Sequence, residues 1–228
     1  MRVSFLIPAF DEASTILEVL ERVDALELEK QIVVVDDGST DGTGDLLDEW
    51  ARTHPEHVVL HQENRGKGAA VRAGIPHATG EITVIQDADM EYDPVDVPPL
   101  IEPIQRGVAD AVYGSRLSGG RPQRAYLFWH LVGNRFLTLL TNVLFNTTLH
   151  DMETGYKAFR TEVLQSLDLR RDDFGIEPEL TGEICRRKLR IYEIPIAYYG
   201  RTVAEGKKIT WRDGFRAIRV LLEVRLRR

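Results

Sequence analysis

Ile82-Thr83-Val84-Ile85-Gln86-Asp87-Ala88-Asp89-Met90-Glu91 sets four β-branched residues, then one glutamine, before three alternating carboxylates. The β-branched run reads as a strand buried on both faces, and the acids mark its end. The same junction recurs upstream. Val3–Pro8 runs into Ala9-Phe10-Asp11-Glu12, and Gln31–Val35 into Asp36-Asp37-Gly38-Ser39-Thr40-Asp41-Gly42. His57–His61 is followed by Asn64-Arg65-Gly66-Lys67-Gly68. Between these strands lie helical stretches: Ser14–Leu26, with Ile16, Leu17, Leu20 and Val23 on one face, then Thr43–Arg52 and Gly68–His77. A short helix, Val95–Gln105, follows Pro94 and leads to a fifth strand, Ala109–Tyr113. This alternation predicts an α/β fold with a mostly parallel central sheet flanked by helices on both faces. In such sheets ligands bind beyond the carboxyl ends of the strands, so all these acidic turns are expected on one rim.

The second half is less regular. It predicts a helix over Leu127–Phe145, a strand over Gly155–Phe159, a helix over Glu177–Lys188 and a strand over Arg190–Ile196. A final amphipathic helix, Trp211–Arg228, puts Trp211, Phe215, Ile218 and Leu222 on one face. The other face carries Arg212, Arg216, Arg219, Glu223 and Arg227. With 228 residues, no repeat and no Gly/Ser/Pro-rich linker, one domain is expected. Its halves differ in charge: residues 1–114 carry 8 Lys/Arg against 23 Asp/Glu, and residues 115–228 carry 21 against 13. Different chemical groups are therefore expected to meet the two halves, anionic small molecules or a lipid surface rather than nucleic acid, since no aromatic-interleaved basic motif is present. A single cysteine, Cys185, excludes an intrachain disulfide and suits a reducing compartment. The N-terminal apolar run is too short for a signal peptide, and Tyr126–Phe145 is broken by His130, Asn134 and Arg135, so no membrane span is expected.

Each acidic turn has an ordinary explanation, since Asp, Ser and Gly suit strand-to-helix turns. In company they suggest more. Asp87 and Asp89, one residue apart at a strand end, can present hard oxygens to Mg²⁺ or Mn²⁺, and such an ion can bind a diphosphate. Crowding carboxylates without a cation is unfavourable. Asn64–Gly68 is not a Walker loop, but its glycines allow a ligand close to backbone N–H groups at a helix start.

Taken in order, these segments resemble the family 2 inverting glycosyltransferases of the dolichyl-phosphate mannose synthase type. Pro8-Ala9-Phe10-Asp11-Glu12 is similar to that family's opening Pro-Ala-Tyr-Asn-Glu, and Val34–Thr43 to its nucleotide-binding turn. Asn64–Gly68, Asp87-Ala88-Asp89-Met90-Glu91, Gly114-Ser115-Arg116 and Asp151-Met152-Glu153-Thr154-Gly155-Tyr156-Lys157 match the motifs that follow. The resemblance implies a Rossmann-like GT-A fold, with residues 1–115 as nucleotide-sugar and metal half and 116–228 as acceptor half. It implies metal-dependent, inverting transfer of a hexose, most commonly mannose from GDP-mannose, from a nucleoside-diphosphate sugar to a polyprenyl or dolichyl phosphate. Pro8, Phe10, Glu12, Asp36 and Asp37 would hold the nucleoside; Asp87, Asp89 and Glu91 would hold Mg²⁺ or Mn²⁺. Lys67, Arg116, Lys157, Arg201 and Lys207 would meet substrate, with Arg135 and Arg124 as further candidates for the acceptor phosphate.

A phosphate acceptor is already largely ionised at neutral pH, so no strong general base is required. Neutralising the leaving diphosphate and bringing two anions together are the harder tasks, which suit Asp89 with its metal and the arginines at 116 and 201. Asp151 reads equally as a base or acceptor-positioning group and as a partner orienting Lys157. Glu177 and Glu179 read as ordinary helix-start acids, and His130 as a packed or interfacial side chain. Many members of the resembled family carry C-terminal membrane spans. Here a cytoplasmic protein is expected, in peripheral membrane contact through Leu127–Phe145 and Trp211–Arg228 or aided by a separate membrane subunit. The last helix reads equally as one packed on the sheet with a solvated charged face. A soluble or oligosaccharide acceptor, a non-catalytic nucleotide-sugar-binding module and a nucleotidyltransferase remain alternatives; the last is disfavoured because the first strand leads into Asp11-Glu12 and not into a basic glycine loop.

Overall fold

The computed structural model describes residues 1–125, 127–201 and 211–227. Seven strands form one sheet: β1 (Val3–Ala9), β2 (Lys30–Asp36), β3 (Val58–His61), β4 (Ile82–Ile85), β5 (Ala111–Ser115), β6 (Lys157–Arg160) and β7 (Ile191–Pro195). Their order is β3-β2-β1-β4-β6-β5-β7. All pair in parallel except β6, which runs antiparallel between β4 and β5. The carboxyl ends of the other six strands therefore share a rim with the amino end of β6. Register fixes that rim, with Pro8 opposite Val35 and Ile85 opposite Lys157.

The period of two in the strands sorts their side chains into two cores. Phe5, Ile7, Ile32 and Val34 face one way, under α1 (Ile16–Asp24), α2 (Thr43–Thr53) and α4 (Val97–Gln105). Leu6, Val33, Val35, Tyr113 and Phe159 face the other, under α3 (Lys67–Gly74), α6 (Thr161–Ser166) and α7 (Ile176–Arg186). A third, smaller cluster, including Leu137, Met152, Ala217 and Leu221, joins α5 (Phe128–Phe145) to α8 (Trp211–Leu226).

Several boundaries differ from the sequence reading. The expected helix over Gly68–His77 ends at Gly74 and continues as a 3₁₀ turn, because Pro76 cannot extend the α-helical ladder. Val95–Gln105 likewise opens as a 3₁₀ turn at Pro94 before α4. The short α6 had no periodic signal.

The last helix needs a larger correction. Its buried residues are Ala217, Val220, Leu221 and Val224, while Phe215 and Leu222 are exposed. The side chains of Trp211 and Arg212 lie outside the described ones; Arg216 is exposed and pairs with Asp213. Arg227 turns inward to Glu179 and Glu183, which are fully buried, and Arg219 pairs with Glu223. Two carboxylates in the core require those counter-charges, which fixes the helix to α7.

Candidate active site

A cleft of about 460 Å³ opens on the rim. Pro8, Phe10, Glu12 and Asp37 line it together with Asp87, Asp89, Glu91, Arg116 and Glu153. Lys67, Glu177 and Arg201 also line it. Sequence reasoning thus placed most of these groups on one surface.

The floor is made at the end of β4, where the chain turns sharply. Met90 adopts a left-handed conformation, φ 62°, and the Glu91 N–H donates to Asp89 Oδ1 at 3.1 Å. Burial, with Asp87 and Glu91 nearby, pushes the Asp89 carboxyl up to about 7 despite the guanidinium of Arg201. Lys67 Nζ bridges Asp87 Oδ1 at 2.8 Å and Glu177 Oε1 at 3.0 Å. Burial opposes the lysine's charge, but Asp87 and Glu177 overcome it and hold the ammonium ionised. Glu177 also carries the ion pair with Lys157, which is fully buried and lies over the Tyr113 ring. Lys157 is therefore a structural cation beneath the cleft, and Glu177 is no solvated helix-start acid.

Arg201 lies over the acids. Its two Nη atoms donate to both Glu12 oxygens at 3.1 and 2.9 Å, Nη2 also to Asp89 Oδ2 at 3.0 Å, and its backbone N–H to Glu91 Oε1 at 2.6 Å. Glu91 Oε2 accepts from the Tyr198 hydroxyl at 2.7 Å. Glu91 is thus engaged in holding this segment. Among the described residues no three His, Cys, Asp or Glu side chains converge as a preformed metal site. Asp87 and Asp89 still fit a hard divalent ion. They supply two carboxylates where negative charge is in excess, as the raised Asp89 shows, and diphosphate and water oxygens would complete the shell.

Arg116, also in the lining, pairs with Asp151, Nε to Oδ2 at 2.7 Å and Nη2 to Oδ1 at 2.8 Å. The Asn134 amide also donates to Asp151 Oδ1 at 2.9 Å. Burial alone would raise this carboxyl, but Arg116 and Asn134 hold it below the usual range. Asp151 therefore orients Arg116 and not Lys157, and it is poorly suited to accept a proton. Arg116 also reaches the Tyr92 hydroxyl at 3.4 Å and stacks over Tyr198, 5.0 Å from the ring centroid.

Asp36 and Asp37, expected to hold the nucleoside, have structural work. Asp36 accepts from Ser39 N–H at 3.1 Å and contacts His61 Nδ1 at 3.0 Å. Asp37 accepts from Gln62 Nε2, Arg65 N–H and Gly66 N–H at 2.6, 3.0 and 2.7 Å, clasping the next loop. The glycines of that loop answer to packing: a Cβ on Gly66 would lie 2.5 Å from the Asp172 carbonyl oxygen, and one on Gly68 would strike the Arg171 carbonyl. Arg135 is exposed on α5, as is His130, and Lys207 lies outside the described residues. Tyr92, Glu153 and Tyr198 were not singled out by sequence, and Glu177 was read there only as a helix-start acid. Only Glu153 carried a usable signal, its place inside a quoted motif.

The model of the glycosyl transferase family 2 matches residues 4–168. The chain belongs to that family. Within it, the chain is 31% identical over 214 residues to the polyprenol monophosphomannose synthase of Mycolicibacterium smegmatis, spanning 90% of this chain and 80% of that one. It is 32% identical over 220 residues to the undecaprenyl-phosphate mannosyltransferase of Micrococcus luteus, spanning 91% and 87%. Among solved structures, a mannosyltransferase of Pyrobaculum calidifontis in complex with GDP-mannose and Mn²⁺ aligns with a TM-score of 0.62 at 26% identity, over 86% of this chain and 55% of that one. As a family 2 glycosyltransferase the chain is an enzyme with the GT-A fold.

Proposed function

We propose that this glycosyltransferase moves a hexose, mannose from GDP-mannose in the first instance, onto a polyprenyl or dolichyl phosphate with inversion at the anomeric carbon. The observation that carries the reading is the meeting of two carboxylates, Asp87 and Asp89, with two arginines, Arg116 and Arg201, in the lining of one cleft. The names of the relatives support both donor and acceptor. Asp87 and Asp89 would hold Mg²⁺ or Mn²⁺, which when bound neutralises charge on the departing diphosphate. Pro8, Phe10 and Glu12 flank the nucleoside end. Arg201, already placed over Asp89, is positioned to exchange carboxylate for phosphate oxygens, a change its guanidinium fork tolerates without moving far. Arg116, fixed in direction by Asp151, would receive the acceptor phosphate. No residue need remove a proton, because that nucleophile is ionised.

A lipid acceptor calls for a surface that meets lipid. Among the described residues no helix is long and apolar enough to cross a membrane. On α5, however, Trp129, Val132, Phe136, Leu139 and Val143 form an exposed stripe, with Trp129 78% and Val143 73% accessible. We assign peripheral membrane contact to this stripe and treat a membrane subunit as an alternative occupant.

Incubation with radiolabelled nucleotide sugars, Mn²⁺ or Mg²⁺ and short polyprenyl phosphates tests the reading. Label should enter the organic phase with GDP-mannose. Failure of label to enter the organic phase with every donor would overturn the lipid-acceptor reading, and label on a soluble sugar would point to that acceptor class.

A further inference from the structure

Of the ionisable groups in the cleft, Glu153 is the one for which neither the fold nor the proposed chemistry accounts. Its Oε1 is buried and, among the described residues, has no hydrogen-bond partner. The cations around it are committed elsewhere: Lys157 to Glu177, and Arg116 to Asp151. A buried carboxylate oxygen without a donor costs on the order of 1–3 kcal/mol or more. A group that serves only the fold would not be expected to carry that cost while facing a ligand cleft.

Position narrows what it faces. Glu153 lines the cleft, and the charges that act on it are those of Lys157, Glu177, Arg116 and Asp151. Two residues on, a Cβ at Gly155 would lie 2.5 Å from Asp87 Oδ2 and 3.0 Å from Lys67 Nζ, so this segment runs alongside the diphosphate end of the floor. In a nucleoside-diphosphate sugar the sugar follows the diphosphate, which brings it to Glu153. Chemistry narrows it again. A carboxylate accepts hydrogen bonds and repels anions. An acceptor phosphate offers it no donor at neutral pH, whereas a neutral hexose offers several hydroxyls. Burial, opposed in part by Lys157, pushes the carboxyl up to about 7, consistent with a group lacking a partner in the free protein.

We propose that Glu153 is a specificity-determining residue that receives a hydroxyl of the donor hexose and disfavours donors whose sugar carries a carboxylate. This rests on the nucleotide-sugar reading of the cleft. The test is calorimetry without acceptor, in Mn²⁺, comparing GDP with GDP-mannose and UDP with UDP-glucose and UDP-glucuronate. Glu153→Ala should bind the bare nucleotide as the wild type does and lose roughly 10- to 100-fold in affinity for the nucleotide sugar. Glu153→Gln, which keeps an acceptor oxygen, should stay within about threefold of wild type for a neutral sugar and gain affinity for the glucuronate donor. If Glu153→Ala does not fold, Glu153→Leu, of similar volume, carries the same comparison.

Equal losses for nucleotide and nucleotide sugar, or no loss for either, would overturn the proposal and leave the cleft's function standing. A wild type that binds neither nucleotide with Mn²⁺ would instead remove the nucleotide-sugar reading, and this proposal with it.

Discussion

Arg116 and Asp151 are joined by two side-chain bonds, at 2.7 and 2.8 Å, and by the Arg116 backbone N–H, which donates to Asp151 Oδ2 at 3.0 Å. The carboxylate is fully buried, so the pair stands or falls as a unit. Breaking such a pair by removing one member costs about 3–5 kcal/mol. Asp151→Ala should therefore lower stability by that amount in chemical denaturation. The pH dependence has a definite sign. A carboxyl held below its ordinary value of 3.8 contributes stability above that pH and loses it as pH falls through the native value. The gap between wild type and Asp151→Asn should thus be constant near neutrality and narrow in strong acid. The neutral limb of the kcat/KM profile should be the same in both proteins; an inflection that vanishes in the Asn variant would restore Asp151 as a base.

Gly155 has no room for a side chain. An added Cβ would press on Asp87 Oδ2 and Lys67 Nζ and lie 3.3 Å from the Tyr92 ring. The first two are ends of side chains that can give way, so the fold should survive while the floor of the cleft shifts. Gly155→Ala is expected to weaken Mn²⁺-dependent nucleotide binding about 10- to 100-fold, the usual effect of disturbing groups that orient metal ligands. Its thermal midpoint should move much less than that of Gly68→Ala, whose Cβ would meet backbone carbonyls of Arg171 and Asp173.

The difference between those two glycines shows where the sequence could be read and where it could not. Strands such as Ile82–Ile85 and the acids that end them are local patterns, so the rim and most of its carboxylates followed directly. The direction of Lys157–Arg160 is set by its neighbours in the sheet, yet that reversal is what brings Asp151, Glu153 and Gly155 to the rim. The chain of charge from Asp87 through Lys67 and Glu177 to Lys157 links segments up to 110 residues apart, and no spacing rule reports it. Glycines at 66 and 68 announced a close approach, but not that the neighbour would be the segment at 171–173.

Asp89 bears a conflict between stability and function. With Asp87 and Glu91 beside it and little solvent, its ionised form is disfavoured in the metal-free protein. Asp89→Asn removes that repulsion while keeping the shape, so at pH 8 in chelator it should melt about 2–4 °C above wild type. Nucleotide binding should move the other way. Chelation should lower the wild type's GDP or UDP affinity about tenfold or more, and the variant should be weak and indifferent to chelator. Equal nucleotide affinity with Mn²⁺ and with chelator in the wild type would exclude a metal bridge at this pair.

The stripe on α5 makes a prediction separable from all of these. Trp129, Phe136, Leu139 and Val143 are each more than half exposed, while Leu137, Thr138 and Thr141 on the opposite side are buried. A helix that seats one face in the protein and leaves an aromatic and aliphatic face to solvent has the geometry of shallow insertion at a lipid interface. Charging exposed positions changes stability by only about 0.5 kcal/mol. Trp129→Glu combined with Val143→Glu should therefore leave the melting curve and the binding of soluble nucleotide intact. Flotation with vesicles of phosphatidylcholine and phosphatidylglycerol should fall severalfold, because the two largest accessibilities on the stripe are replaced by charges that repel an anionic surface. Truncating α8 is the weaker experiment, since Arg227 and Ala217 tie that helix into the core and its loss would expose the cluster it shares with α5. If the double variant floats like the wild type, α5 does not carry the membrane contact, and the stripe must be covered by a protein partner.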